Sequence, residues 1–228
     1  MQPILAHIGG GTFAPLQIAP AILAAALYAL RVRTLAGTPR AVPGWRQACF
    51  LSGVALILVV LVSPASHIAE ELFLAHMAEH LLLADIGTLL LVLGLTGPVL
   101  APVLRLPGMG FIRIIGHPVP ALGLWALDLY LWHVPSIHTA ALDHSAVHAL
   151  QHACFIFFGA NMWMPLFGPL PQPAWFTNVW QLAYIVAVRL VGAVLGNVLV
   201  WGDHAFYPRY AAGEAYWHIT PLADQQVA

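Results

Sequence analysis

Along this chain, long apolar runs alternate with short stretches dense in proline, glycine and charge. Crossing about 30 Å of hydrocarbon at 1.5 Å per residue takes roughly 20 apolar residues. Six runs approach that length, at residues 13–30, 46–62, 72–95, 119–135, 146–166 and 178–200. Between them fall Pro39, Pro43, Pro64, Pro98, Pro102, Pro107, Pro169, Pro171 and Pro173, which mark turns and leave no room for a separate soluble unit. The pattern predicts an all-α fold, a single integral membrane domain over residues 1–228 with about six spans and no internal repeat.

Composition turns that pattern into an exclusion. Residues of the AVILMFWYC set make up 61% of the chain and charged residues 7%, against about 25% charged in ordinary soluble domains. A water-soluble globule is ruled out. All eight basic residues are arginine and the formal charge is −1, so nucleic acid would meet no basic surface. The lipid bilayer is the partner that this composition implies.

The arginines also predict orientation, because short arginine-rich connections stay cytoplasmic. Arg31, Arg33, Arg40 and Arg46 surround the first connection and Arg105 and Arg113 lie in the third. With these inside, both termini are extracytoplasmic, and Glu70, Glu71, Asp143, Asp203, Glu214 and Asp224 fall outside with Arg209. No basic segment precedes residues 13–30, so this run is expected to be a retained span rather than a cleaved signal. Cys49 and Cys154 sit at different depths, too far apart for a disulfide.

Twelve histidines remain, more than either charge sign. Sorted on this topology, only His117 lies inside. His7, His67, His138, His144, His204 and His218 fall in outer loops or termini, and His76, His80, His133, His148 and His152 in the outer halves of spans. His76 and His80 are four residues apart, as are His148 and His152, so each pair occupies one helical face a turn apart. At 1.5 Å per residue, His80 lies about 12 Å below Leu72 and His152 about 9 Å below Ala146. Two facing helices could therefore present four imidazoles at one depth. Imidazole suits copper, zinc, iron and nickel, and facing helices of a bundle are a recurrent place to build a metal site. The contrary reading is that membrane histidines simply hydrogen-bond helices together.

Other polar groups inside the spans are costly in lipid and so call for a role. Glu79 stands between the first histidine pair, and Asp128 lies near the histidine layer, where either could orient an imidazole or carry a proton. Asp85 and Arg189 are at comparable depth and are expected to form a buried structural ion pair. Asn161 and Asn197 are expected to bond between helices. His76, Glu79 and His80 spell H-x-x-E-H, formally the inverted zinc-protease pattern, so a zinc-dependent membrane hydrolase is one alternative. Haem ligation is another, although it needs one histidine per helix face rather than two. A methionine-based copper(I) relay has little support, since Met162 and Met164 sit at the inner end and only Met77 is near the histidine layer.

Three stretches together resemble one family. Residues 63–100 contain SPASHIAEELFLAHMAEHLLLADIG, residues 131–169 contain LWHVPSIHTAALDHSAVHALQHACFIFFGANMWMP, and residues 219–226 read ITPLADQQ. They look like the signatures of the CtaG-type family of caa-type cytochrome c oxidase assembly factors, and the likeness runs from about Val62 onward. It implies a multi-pass protein of a bacterial inner membrane that helps mature a haem-copper oxidase. Its implied cofactor is copper, with zinc the lesser alternative, and its implied partners are an oxidase subunit or a copper chaperone. The family's paired histidines fall on His76 and His80 and on His148 and His152, and its Trp-His-x-Pro element on Trp132, His133 and Pro135. Relatives commonly carry Gln or another residue where Glu79 stands, and they continue past the Asp-Gln-Gln element into a further span that this sequence, ending at Ala228, is expected to lack. The reading that combines these observations is a non-enzymatic assembly factor that holds copper and passes it on; a metal-free scaffold stays open beside it.

Overall fold

The computed structural model describes residues 15–63 and 65–228, and the described residues contain helices and no strands. The first long helix, α1, runs Pro15–Leu35 and the second, α2, Gly44–Val62. A short helix α3, Ala65–Glu71, is followed after one extended residue, Leu72, by α4, Phe73–Gly94. Within α4 the segment Leu82–Gly87 widens into a π-helix. Two short helices, α5 (Gly97–Leu104) and α6 (Phe111–Ile115), lead to α7, Pro118–Trp132. Then come α8 (Pro135–Asp143), α9 (Ser145–Phe167) and α10 (Asn178–Val200). A 3-10 turn Pro208–Tyr210 and two short helices, α11 (Ala211–Tyr216) and α12 (Pro221–Val227), complete the chain.

Among the described residues, four helices are long and apolar enough to cross a membrane: Ile18–Leu35, Gly44–Val62, Phe73–Gly94 and Asn178–Val200. The other two expected spans are helical where the pattern placed them, but differ in character. With 15 residues, α7 extends about 22 Å, short of the hydrocarbon thickness. The 23 residues of α9 are long enough, yet His148, Gln151, His152 and Asn161 dilute their hydropathy. Their surroundings explain that dilution: Gln151, His152 and Asn161 are buried against other helices. The faces turned outward are apolar, with Ile22, Leu23 and Leu27 exposed on α1 and Val179, Leu182, Val186, Leu190, Val194 and Val198 on α10.

Close helix packing depends on small residues. A Cβ on Gly159 would collide with the Ala84 carbonyl, and one on Gly53 would come within 2.9 Å of Gly87 O and Leu91 N. Glycine thus lets α9 and α2 press against α4, as expected where packing rather than the hydrophobic effect joins helices. At the arginine end, Arg46 donates to the Leu93 and Leu95 carbonyls at 2.9 and 2.8 Å, and Arg31 to the Pro98 carbonyl at 3.1 Å. At the opposite end, Tyr207 donates to the His133 carbonyl at 2.8 Å and Arg209 pairs with Asp143 at 2.9 Å. The bundle therefore has one arginine-capped end and one end closed by residues 201–228. The second end lies over the histidines.

Candidate metal centre

The histidine layer begins with an interruption. Leu72 is extended (φ −128°, ψ 130°), so the first N–H groups of α4 lack partners within their own helix. Asp224, from α12, accepts them: Phe73 N–H donates to one carboxylate oxygen at 2.7 Å and Leu74 N–H to the other at 3.1 Å. Gln225 continues the clasp, accepting from Phe206 N–H at 2.7 Å and donating to the Leu199 carbonyl at 3.1 Å. Asp224 and Gln225 of the Asp-Gln-Gln element thus hold the start of the helix that carries His76 and His80.

From that fixed start, α4 and α9 bring the two pairs together as expected. Ring centroids are 4.2 Å apart for His76 and His80 and 4.3 Å for His148 and His152. Across the interface, His76 lies 5.8 Å from His148 with nearly parallel rings, and His80 lies 5.8 Å from His152. The four rings thus form a quadrilateral across the α4–α9 interface. His76, His80 and His152 are buried.

Hydrogen bonding makes the arrangement unusual. Both ring nitrogens of His76, His80 and His152, Nε2 of His148 and both carboxylate oxygens of Glu79 are buried without a hydrogen-bond partner. Buried polar groups ordinarily find partners, and several adjacent exceptions require a cause. Donor atoms of His76, Glu79 and His148 lie within 4.8 Å of one another, and Glu79 Oε1 is 3.9 Å from His152 Nε2. Glu79 is therefore placed among the imidazoles as a donor rather than behind them. The orphaned nitrogens and carboxylate are the donor set that a divalent or monovalent transition-metal ion would satisfy.

Two other expected residues are placed differently. His133 caps α7 and points its Nε2 at the Met77 sulfur, 3.3 Å away, while Nδ1 bonds to the Leu129 carbonyl at 2.7 Å. It borders the quadrilateral. Asp128 accepts from the Trp132 indole at 3.0 Å and leaves Oδ2 without a partner; among the described residues no imidazole bonds to it. Asp85 and Arg189 do pair, at 2.6 Å, with the guanidinium also over the Trp163 ring. Their side chains are 20% and 56% exposed, so the pair faces a cavity rather than the core. That cavity, about 320 Å³, runs from the ion pair to His80, His133 and Met77.

Some members of the layer were not expected. His138, read as an outer-loop residue, is buried on α8 with its ring 4.8 Å from His76 and its Nε2 bonded to the Tyr210 hydroxyl at 2.9 Å. Burial and neighbouring His133 push its pKa down to about 3, which keeps it neutral. Tyr210 is pushed well above its ordinary value by burial and by Tyr207 and Asp224. Gln151, beside His152, is fully buried with neither amide atom bonded. The Trp-His-x-Pro stretch signalled His133, but nothing local distinguishes His138 from a loop histidine. His117, expected to be the one inner histidine, accepts from Val119 N–H at 3.4 Å and caps α7. His7 lies outside the described residues.

No curated protein and no solved structure matches the chain. A family model does, over residues 26–228, which include every member of the histidine layer and the Asp224 clasp. The chain belongs to the cytochrome c oxidase caa3 assembly factor family.

Proposed function

We propose that this assembly factor binds copper between α4 and α9 and passes it to a cytochrome c oxidase subunit or to a copper chaperone. The ligands are His76, His80, His148 and His152, joined by Glu79, with His133 at the edge of the site and Asp128 supporting it through Trp132. Copper here is cargo, and the protein carries out no catalytic step. The observation that carries the reading is the set of buried, unpartnered imidazole nitrogens on two facing helices. Neutral imidazoles hold a cation without adding buried anionic charge, and ligands that differ in kind permit release by exchange.

The same proposal places the protein in a bacterial inner membrane, crossing it about six times, α7 and α9 included. Both termini and the histidine end face outward, a topology supported by the clustering of six of eight arginines at the other end. Measuring metal content of the purified protein, before and after changing all four paired histidines to Ala, tests the reading. Copper retained only by the native chain supports it; equal copper in both overturns it.

A second reading, zinc-dependent hydrolysis, is favoured by the grouping of Glu79 with His76 and His148. Comparing Glu79→Gln with His80→Ala separates the two, since a hydrolase would lose its activity with either, whereas oxidase maturation would tolerate the first better than the second.

A further inference from the structure

The cavity between α4, α7 and α10 contains a second arrangement of donors, chemically unlike the first. His133 Nδ1 lies 2.7 Å from the Leu129 carbonyl, which can only accept. In the neutral imidazole the ring proton therefore sits on Nδ1, leaving Nε2 as a bare lone pair. That lone pair faces the Met77 sulfur at 3.3 Å, and a thioether has no hydrogen to offer. Two Lewis bases thus meet head-on, both buried, at 8% exposure each. Nothing in the contact itself attracts one to the other.

A soft cation resolves this conflict. His80 lines the same cavity as Met77 and His133, and both of its ring nitrogens are buried without partners. Met77 and His80 are three residues apart on α4 and so share a face. One thioether and two neutral imidazoles make a soft set with no carboxylate, the kind that selects copper(I) over zinc or copper(II). The quadrilateral, joined by Glu79, is the harder set.

We infer that Met77, His133 and His80 form a second metal site, specific for monovalent copper and open to the cavity. It rests on the reading of the quadrilateral as the resident copper site, and makes His80 the ligand common to both. Copper(I) moves by ligand exchange. The bonds to His76, His148, His152 and Glu79 break as bonds to the Met77 sulfur and His133 Nε2 form, with His80 retained throughout, and no electron is transferred.

The test uses the full chain in lipid nanodiscs, loaded anaerobically with copper(I) against a competing chelator and separately with zinc(II). Met77→Leu keeps the volume of the side chain and removes the sulfur. In the native protein, X-ray absorption should show a copper–sulfur component. Met77→Leu should abolish it and weaken copper(I) binding roughly tenfold while zinc affinity stays within about twofold. A native spectrum without sulfur, or a Met77→Leu protein with native copper(I) affinity, overturns the inference, and the native spectrum decides alone if that variant fails to fold. The double variant His76→Ala with His148→Ala separates the two ideas. If it binds all metals as the native chain does, the quadrilateral reading fails; loss of copper–sulfur scattering only in Met77→Leu would still uphold the second site.

Discussion

The Asp224 carboxylate receives the Phe73 N–H at 2.7 Å across 151 residues of sequence. The start of α4, and with it the register of His76 and His80, is therefore set by the far end of the chain. Asp224→Ala removes the carboxylate cap on two N–H groups, one buried and one part-buried. It should cost about 2 kcal/mol of stability and reduce metal occupancy at the histidine layer. Thermal unfolding in detergent and metal analysis of the same samples check this, and Asp224→Asn, which keeps one acceptor, should fall between.

Gly159 offers a test of helix approach. A methyl group there would collide with the Ala84 carbonyl, pushing α9 from α4 and separating His148 and His152 from their partners. Gly159→Ala should destabilise by about 1–3 kcal/mol and weaken metal binding. Gly192→Ala, where a Cβ meets nothing within 4 Å, should do neither.

Glu214 titrates in an unusual range. Burial and the adjacent Asp224 raise its pKa from the ordinary 4.5 to about 7, so the folded state prefers the protonated acid. Its stabilising contribution is complete below about pH 4.5, shrinks as the unfolded chain ionises, and is lost as pH rises through 7. Unfolding followed between pH 5 and 8 should show stability declining with pH, and Glu214→Gln should flatten that slope.

Asp85 and Arg189 form a pair bordering an apolar cavity. Removing one partner strands the other charge, whereas replacing both removes the conflict. Asp85→Asn and Arg189→Gln should each lower the thermal inactivation temperature in nanodiscs more than the two changes combined. Additive losses would contradict the pairing.

How much of the molecule is legible in its sequence depends on whether the cause is local. Hydropathy runs fell on helices in the described residues, four of them long and apolar enough to cross a membrane, and residues 178–200 coincide with α10. The four-residue spacing of His76 with His80, and of His148 with His152, predicted a shared layer because helical periodicity is a property of neighbouring residues. What escaped depends on distant contacts. The break at Leu72 is stable only because Asp224 caps the first turn of α4, and no property of residues 70–75 announces it. His138 belongs to the layer because α8 folds back under Tyr210, and Met77 gained importance only through the direction in which His133 points. The first helix continues to Leu35, past Arg31 and Arg33; Arg31 extends to the Pro98 carbonyl, so a charge that looked like a boundary is accommodated within the helix.

The wide turn at Leu82–Gly87 also sets direction. An ordinary helix advances about 100° per residue, and a π segment advances less, since each turn holds an additional residue. This lag brings Asp85 round to the wall that also holds His80, within reach of Arg189 on α10. One helix can then address two neighbours, histidines toward α9 and a charge toward α10. Deleting a single residue between 82 and 87 would leave composition and apolar length almost untouched, and a hydropathy plot would hardly register it. It would nonetheless rotate everything beyond it out of phase, so the spatial grammar of this helix is written in its count of residues as much as in their kind.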